Sequence, residues 1–268
     1  MNQIAHPGSK SNPSRKLRFQ VPLYLAIPVQ VLRLLLSLYP APFLNSPPLC
    51  SGLFFIMIVT SKLIDKSLES RCFFMTARRQ DIVDYFHSLD RRSFMDRHQQ
   101  DAGRDEALPI GYGQTISQPS LVLQMTIALD LEKHHKVLEI GTGSGFQTAL
   151  LARFSNEVYT IENIPQLAES VQKRLEAKGF SNISFFLGDG SLGWPEHAPY
   201  DRIIVTAAAS DIPKELIDQL SPGGRMIIPV GKQNSQDLLA IDKSSDGKLE
   251  KTALEAVRFV PLKGKYEN

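Results

Sequence analysis

Lys136-Val137-Leu138-Glu139-Ile140-Gly141-Thr142-Gly143-Ser144-Gly145 is the stretch on which the fold of this 268-residue chain turns. Its first half is a short apolar run of strand character. Its second half alternates glycine with small polar residues, and Phe146 to Phe154 then resumes at helical spacing. A strand that breaks sharply into a helix needs residues that accept left-handed backbone and let a ligand approach the main chain. The helix that follows presents unpaired N–H groups and the positive end of its dipole. Gly141, Thr142, Gly143 and Gly145 are therefore candidate binding residues for a ligand seated outside the carboxyl ends of the strands. The dinucleotide fingerprint G-x-G-x-x-G is excluded, because Phe146 stands where its third small residue belongs.

The chain around this stretch alternates helix and strand. Upstream, an early helix carries Ile82, Val83, Tyr85, Phe86 and Leu89, a polar, glycine-rich loop spans 101–114, and a helix runs from Gln118 to Asp130 with Pro119 in its first turn. Ser117 is predicted as that helix's N-cap. Downstream, strands are predicted at Glu157–Ile161, Ile183–Leu187, Asp201–Thr206 and Arg225–Val230, with helices at Pro165–Lys178 and Pro213–Leu220 between them. Gln236–Ile241 and Ala253–Val260 add two more strands. The pattern predicts one α/β domain over residues 75–268, a doubly wound, mostly parallel sheet covered on both faces.

The E-x-G-x-G-x-G run from Glu139 to Gly145 resembles motif I of S-adenosylmethionine-dependent methyltransferases, which have a Rossmann-like sheet. The resemblance implies S-adenosyl-L-methionine as cofactor. It places Glu139 near the cofactor's amino-acid end, Glu162 at the ribose hydroxyls, and Asp189 with Gly190 beside the adenine. Further blocks narrow the family. Ala107 to Pro119 (ALPIGYGQTISQP), Ile204 to Ala209 (IVTAAA), Leu220 to Gly231 (LSPGGRMIIPVG) and Phe259 to Gly264 (FVPLKG) resemble protein-L-isoaspartate O-methyltransferases. By that resemblance Ser117 is the active-site serine, Thr115 and Ile116 share its wall, and Ala207, Ala208 and Ala209 are small so that a peptide backbone can pass.

The implied reaction methylates the free α-carboxylate of an L-isoaspartyl residue in a damaged protein or peptide. Such a carboxylate is ionised at neutral pH, so no general base is required. The methyl ester then favours attack by the next backbone nitrogen, giving a succinimide that opens partly to normal aspartate. Two other readings use the same cofactor fold: a methyltransferase of another substrate, and an inactive, membrane-tethered binding module.

Net charge is +2 overall, but residues 1–74 hold eight Lys/Arg against two acids (+6), leaving −4 for the rest. The weakly acidic catalytic part carries no basic-aromatic patch, which argues against nucleic acid. Both cysteines, Cys50 and Cys72, lie in the first segment, so residues 75–268 have none to pair. The six histidines show no metal-ligand spacing, and no metal is expected. Residues 1–20 read as disordered, and the apolar stretches Val21–Tyr39 and Leu49–Thr60 are interrupted or short for a membrane span. This segment reads as a membrane anchor, an export signal, or upstream sequence joined to a gene whose working start is Met75; the last is favoured. The expectation is a cytoplasmic monomer, with membrane contact only if residues 21–60 are retained.

Overall fold

The computed structural model describes residues 78–232 and 235–267. The expectations for residues 1–74, including the cysteines and the start at Met75, lie outside them.

A helix over 78–88 (α1) and a short 3-10 turn at Arg91–Phe94 lead into a hairpin of β1 (Leu108–Gly111) and β2 (Gln114–Ile116). Helix α2 (Pro119–Ala128) follows, then β3 (Lys136–Ile140), α3 (Phe146–Phe154), β4 (Glu157–Glu162), α4 (Pro165–Ala177) and β5 (Ile183–Leu187). The chain returns through β6 (Tyr200–Val205), α5 (Lys214–Gln219), β7 (Leu220–Lys232), β8 (Ser235–Lys243) and β9 (Leu249–Val257). The seven-stranded sheet has the order β5-β4-β3-β6-β7-β8-β9. Pairings from β5 to β7 are parallel, and β8 and β9 are added antiparallel. The predicted doubly wound, mostly parallel sheet is present.

Strand β3 is central because both its faces are covered: Val137, Leu138 and Ile140 are each at most 1% exposed. A five-residue Val/Leu/Ile-rich run suits that position, since a strand buried on both sides has no polar face to alternate. Helix α4 shows the complementary pattern, burying Leu167, Val171 and Leu175 at four-residue spacing and leaving the rest half-buried or exposed. Full burial of one such side chain contributes roughly 1.5–3 kcal/mol.

Three elements differ from expectation, and the last strand is one: it runs over Leu249–Val257 where Ala253–Val260 was predicted, leaving residues 258–260 outside the sheet. The stretch read as a polar loop contains the β1–β2 hairpin, closed by a two-residue turn in which Tyr112 (φ 54) and Gly113 (φ 72) are both left-handed. Such a turn matches the strand twist, and asparagine usually supplies its first position. Tyrosine in that place hid the signal. Strand β7 also begins earlier than predicted. Its register with β6 jumps from Tyr200↔Leu220 to Arg202↔Arg225, so Ser221-Pro222-Gly223-Gly224 bulges out of a strand and does not separate helix from strand.

Beyond β9 the chain crosses back over the sheet. The Ala208 N–H donates to the Val260 carbonyl and the Leu262 N–H to the Ala208 carbonyl, each at 2.8 Å. Buried Gln236 fixes the crossing: its Oε1 accepts the Phe259 N–H at 2.6 Å and its Nε2 donates to the Phe259 carbonyl at 3.3 Å.

Candidate active site

The sheet's strand order reverses at β3. The chain leaves it toward β4 and β5, then returns to β6 on the other side, which opens a crevice at the carboxyl ends of β3 and β6. A cleft lies there. Its floor is Ile140 to Ser144, with Thr206 and Ala207 from the end of β6; Glu162, Asn163 and Gly190 close one end. Thr115, Ile116, Ser117 and Gln118 form one wall, and Arg258 to Lys263 form the other.

The floor is held from below. Thr206 donates its backbone N–H to the Ile140 carbonyl at 2.9 Å, and its hydroxyl lies 2.6 Å from the Gly141 carbonyl. Gly141 (φ 92), Gly143 (φ 54) and Gly145 (φ 82) are all left-handed. A side chain on Gly141 would meet Thr206 Oγ1 at 2.5 Å, whereas one on Gly143 would meet only Ile110 Cδ1 at 3.9 Å. Gly143 therefore leaves backbone open toward the cleft, and Gly141 is small so that the two strand ends can close. Glu162 is 6% exposed, and its carboxylate organises the rim: Oε2 accepts the Gly143 N–H at 2.8 Å, and Oε1 accepts those of Asn163 (2.9 Å) and Ile164 (3.1 Å).

Of the residues singled out in the sequence, Thr115, Ile116, Ser117, Gly141, Thr142, Gly143, Glu162, Gly190 and Ala207 line the cleft. Five others stand behind the lining, among them fully buried Ala209, whose N–H donates to the Pro229 carbonyl at 3.0 Å. Glu139 is fully buried beneath the loop, where its Oε2 accepts hydroxyls of Thr148 and Thr160, each at 2.7 Å, and its Oε1 has no partner among the described residues. Burial there pushes its pKa up to about 8. The Thr160 hydroxyl also lies 2.7 Å from that of Thr142, tying the buried carboxyl to the loop. Gly145 is a packing position, since a side chain there would meet Val171 Cγ2 at 2.5 Å on α4. Asp189 caps a 3-10 turn, accepting the Ser191 N–H at 2.9 Å and hydroxyl at 2.7 Å. Ala208 is fully buried, and its backbone carries the crossing segment.

Ser117 is not the N-cap of α2. Gln118 occupies that position, and Asp105 supplies the capping carboxylate from a distance, its Oδ1 accepting the Ser120 N–H at 2.8 Å. The Ser117 hydroxyl has no hydrogen bond to another described residue, and Ser117 is part of the cleft lining. Thr206, Gln118, Asn163 and Arg258 also line the cleft, and none of them stands out as a site residue in the sequence. Single polar residues at strand ends and in loops carry no periodic signal, and only the crossing of 258–263 over Ala208 brings Arg258 to the cleft.

Two of the histidines, His134 and His135, do sit together with an acid. Ligand-type atoms of Glu132, His134 and His135 all lie within 4.8 Å of one another, away from the cleft lining. His135 Nδ1 accepts the Glu132 N–H at 2.8 Å, and Glu132 Oε1 pairs with Arg78 at 3.0 Å. Burial, with Arg202 nearby, pushes the His135 pKa down to about 4. The group is knitted into an ion-pair network at the start of β3.

Comparison with known proteins agrees with this geometry. The chain is 53% identical over 190 residues to a Dictyoglomus turgidum protein named protein-L-isoaspartate O-methyltransferase, covering 70% of this chain and 86% of that one. It is 49% identical over 187 residues to the Myxococcus xanthus protein of the same name, covering 68% and 88%. A solved structure named protein-L-isoaspartate O-methyltransferase superimposes with a TM-score of 0.62 at 27% identity, over 71% of this chain and 67% of that one. A Plasmodium falciparum structure, described as a beta-aspartate methyltransferase in complex with S-adenosyl-L-homocysteine, shares the fold with a TM-score of 0.59 at 24% identity, covering 68% and 90%. Residues 60–267 match the sequence profile of the protein-L-isoaspartate(D-aspartate) O-methyltransferases, and the chain belongs to that family.

Proposed function

We infer that the chain transfers a methyl group from S-adenosylmethionine to the free α-carboxylate of L-isoaspartyl residues in damaged proteins and peptides, the step that starts their repair. The observation that carries this reading is the meeting, in one cleft, of the glycine loop and Glu162 with the Thr115–Ser117 wall and the 258–263 wall.

The residues fit the cofactor. Open backbone at Gly143 suits a ligand pressed against the loop, and Gly141 and Thr142 would flank its amino-acid end. Glu162, whose oxygens already face the rim, would accept from ribose hydroxyls, and Gly190 would lie beside the base. When bound, S-adenosylmethionine supplies an electrophilic methyl group on a positively charged sulfur.

The protein's part is positioning and exclusion of water. An isoaspartyl α-carboxylate, with a pKa near 3.5–4, is ionised at neutral pH and attacks without a general base. The free hydroxyl of Ser117 would donate to one carboxylate oxygen and so orient the substrate in the cleft. Ile116, 2% exposed, backs that wall with apolar surface. Ala207 leaves room at the end of β6 for the peptide to lie flat. Holding the reacting atoms in line is the effect that accelerates such a transfer. Small chain movements then matter more than the strength of any one contact.

Among the described residues no helix is long and apolar enough to cross a membrane. We propose a cytoplasmic monomer that takes peptides and unfolded protein segments as substrates and does not require nucleic acid. The test is to incubate the full chain with labelled S-adenosylmethionine and two peptides differing only in an isoaspartyl or aspartyl linkage. Base-labile label on the isoaspartyl peptide alone is expected; equal labelling of both, or of neither, refutes the reading.

A further inference from the structure

The wall that carries Thr115, Ile116 and Ser117 has little regular structure of its own. Residues 102–117 share only the three β1–β2 pairs as a ladder, and the rest of their carbonyls need other partners. Arg91, in the 3-10 turn after α1, supplies them. Its Nη1 donates to the carbonyls of Ala102 (3.2 Å) and Arg104 (3.1 Å), and its Nη2 to those of Glu106 (2.8 Å), Ser117 (2.9 Å) and, more weakly, Ile116 (3.4 Å). Arg91 is 6% exposed, and no carboxylate among the described residues is within ion-pair distance of it. Its charge is met at hydrogen-bond distance by backbone dipoles drawn from both ends of one segment, and at longer range by the carboxylates of Asp105 and Glu106.

We propose that Arg91 is a positioning residue for methyl transfer, whose guanidinium gathers five carbonyls of residues 102–117 and thereby fixes where the Ser117 hydroxyl stands relative to the glycine loop. The planar guanidinium is the group suited to this, because its donors fan out in a fixed plane toward several acceptors at once. An ammonium at the same place keeps the charge but reaches fewer carbonyls, and an apolar side chain leaves them all unpaired. Arg91 touches neither ligand, so its removal should act on the substrate wall and spare the cofactor floor.

This rests on the isoaspartyl reading above. Full-length Arg91→Met and Arg91→Lys proteins would be compared with wild type by amide hydrogen exchange, S-adenosylhomocysteine affinity and kcat/KM on the isoaspartyl peptide. The expected result is faster exchange confined to residues 102–118, affinity within about twofold of wild type, and kcat/KM lower by roughly ten- to a hundredfold in Arg91→Met, the size of loss that misplacing reacting groups produces. Arg91→Lys should recover part of that loss. Unchanged kcat/KM overturns the proposal. So does faster exchange spread through β3 to β7, or failure of both variants to fold, since Arg91 would then be a general scaffold residue. A wild type that labels no isoaspartyl peptide defeats the functional reading alone, and the exchange and affinity arms still decide on Arg91.

Discussion

Removing the Ser117 hydroxyl leaves the glycine loop and its hydrogen bonds intact, while removing the Glu162 carboxylate leaves three backbone N–H groups at the rim without their acceptor. The two variants should therefore fail in opposite ways. Ser117→Ala is expected to lower turnover by roughly tenfold or more, the worth of a hydrogen bond to a charged group, with S-adenosylhomocysteine affinity unchanged. Glu162→Ala is expected to weaken that affinity by a similar factor; calorimetric titration showing unaltered binding would remove its ribose role. Glu139 makes a different prediction. Burial holds its folded-state pKa at about 8, above the ordinary 4.5. The unfolded chain therefore loses this proton first, and stability should fall as pH rises from about 4.5 to about 8 and level off above that. Glu139→Gln should lack that decline, ending more stable at pH 8 by on the order of a few kcal/mol. Parallel stability-against-pH curves for the two proteins would show that Glu139 does not stay protonated in the fold. Spacing in the sequence located Glu139 but could not say which way it faces. It points to Thr148 on α3, and only the pairing of strand and helix decides that.

The strands were readable because each central one is a brief Val/Ile/Leu run bounded by glycine, proline or charge, a composition that suits burial on both faces. The helices were readable from their spacing, within two residues at most ends. What escaped were elements made by atypical turn chemistry: the hairpin closed by Tyr112-Gly113, the bulge at the start of β7, and the remote cap that relieves Ser117 of capping duty. The hairpin and the glycine loop allow a direct comparison of two left-handed glycines. At Gly113 nothing lies within 4 Å of an added Cβ, so Gly113→Ala should cost only the backbone strain, about 1 kcal/mol. At Gly141 the same strain is joined by Thr206 Oγ1 at 2.5 Å, the hydroxyl that braces the loop carbonyl. Gly141→Ala should cost at least twice as much in denaturant unfolding and also weaken cofactor binding. Equal costs would mean that the closure between β3 and β6 is looser than described.

At the scale of the whole molecule, every predicted site residue that reaches the cleft lies between Thr115 and Ala207, and the far wall comes from residues beyond β9. The sequence blocks announced both parts, but their adjacency depends on a crossing that periodicity does not record. Every residue that lines the cleft lies after residue 75, and we propose residues 75–268 as the catalytic domain. A protein of residues 75–268 is expected to methylate the isoaspartyl peptide within about twofold of the full chain, because a compact domain carries its own core. A loss of tenfold or more would assign residues 1–74 a part in the site.

The two hydrogen bonds between Ala208 and the returning segment have a consequence for synthesis. A ribosome makes the glycine loop, Glu162 and Ser117 well before residues 258–263, so a nascent chain can assemble the sheet and the cofactor floor while half of its cleft is missing. A product ended by a premature stop at residue 257 would keep every strand of the sheet and the Thr115–Gln118 wall, yet lack the opposite wall that closes a peptide over the floor. Competence for repair is thus tied to complete translation, and truncated copies would hold cofactor without spending it.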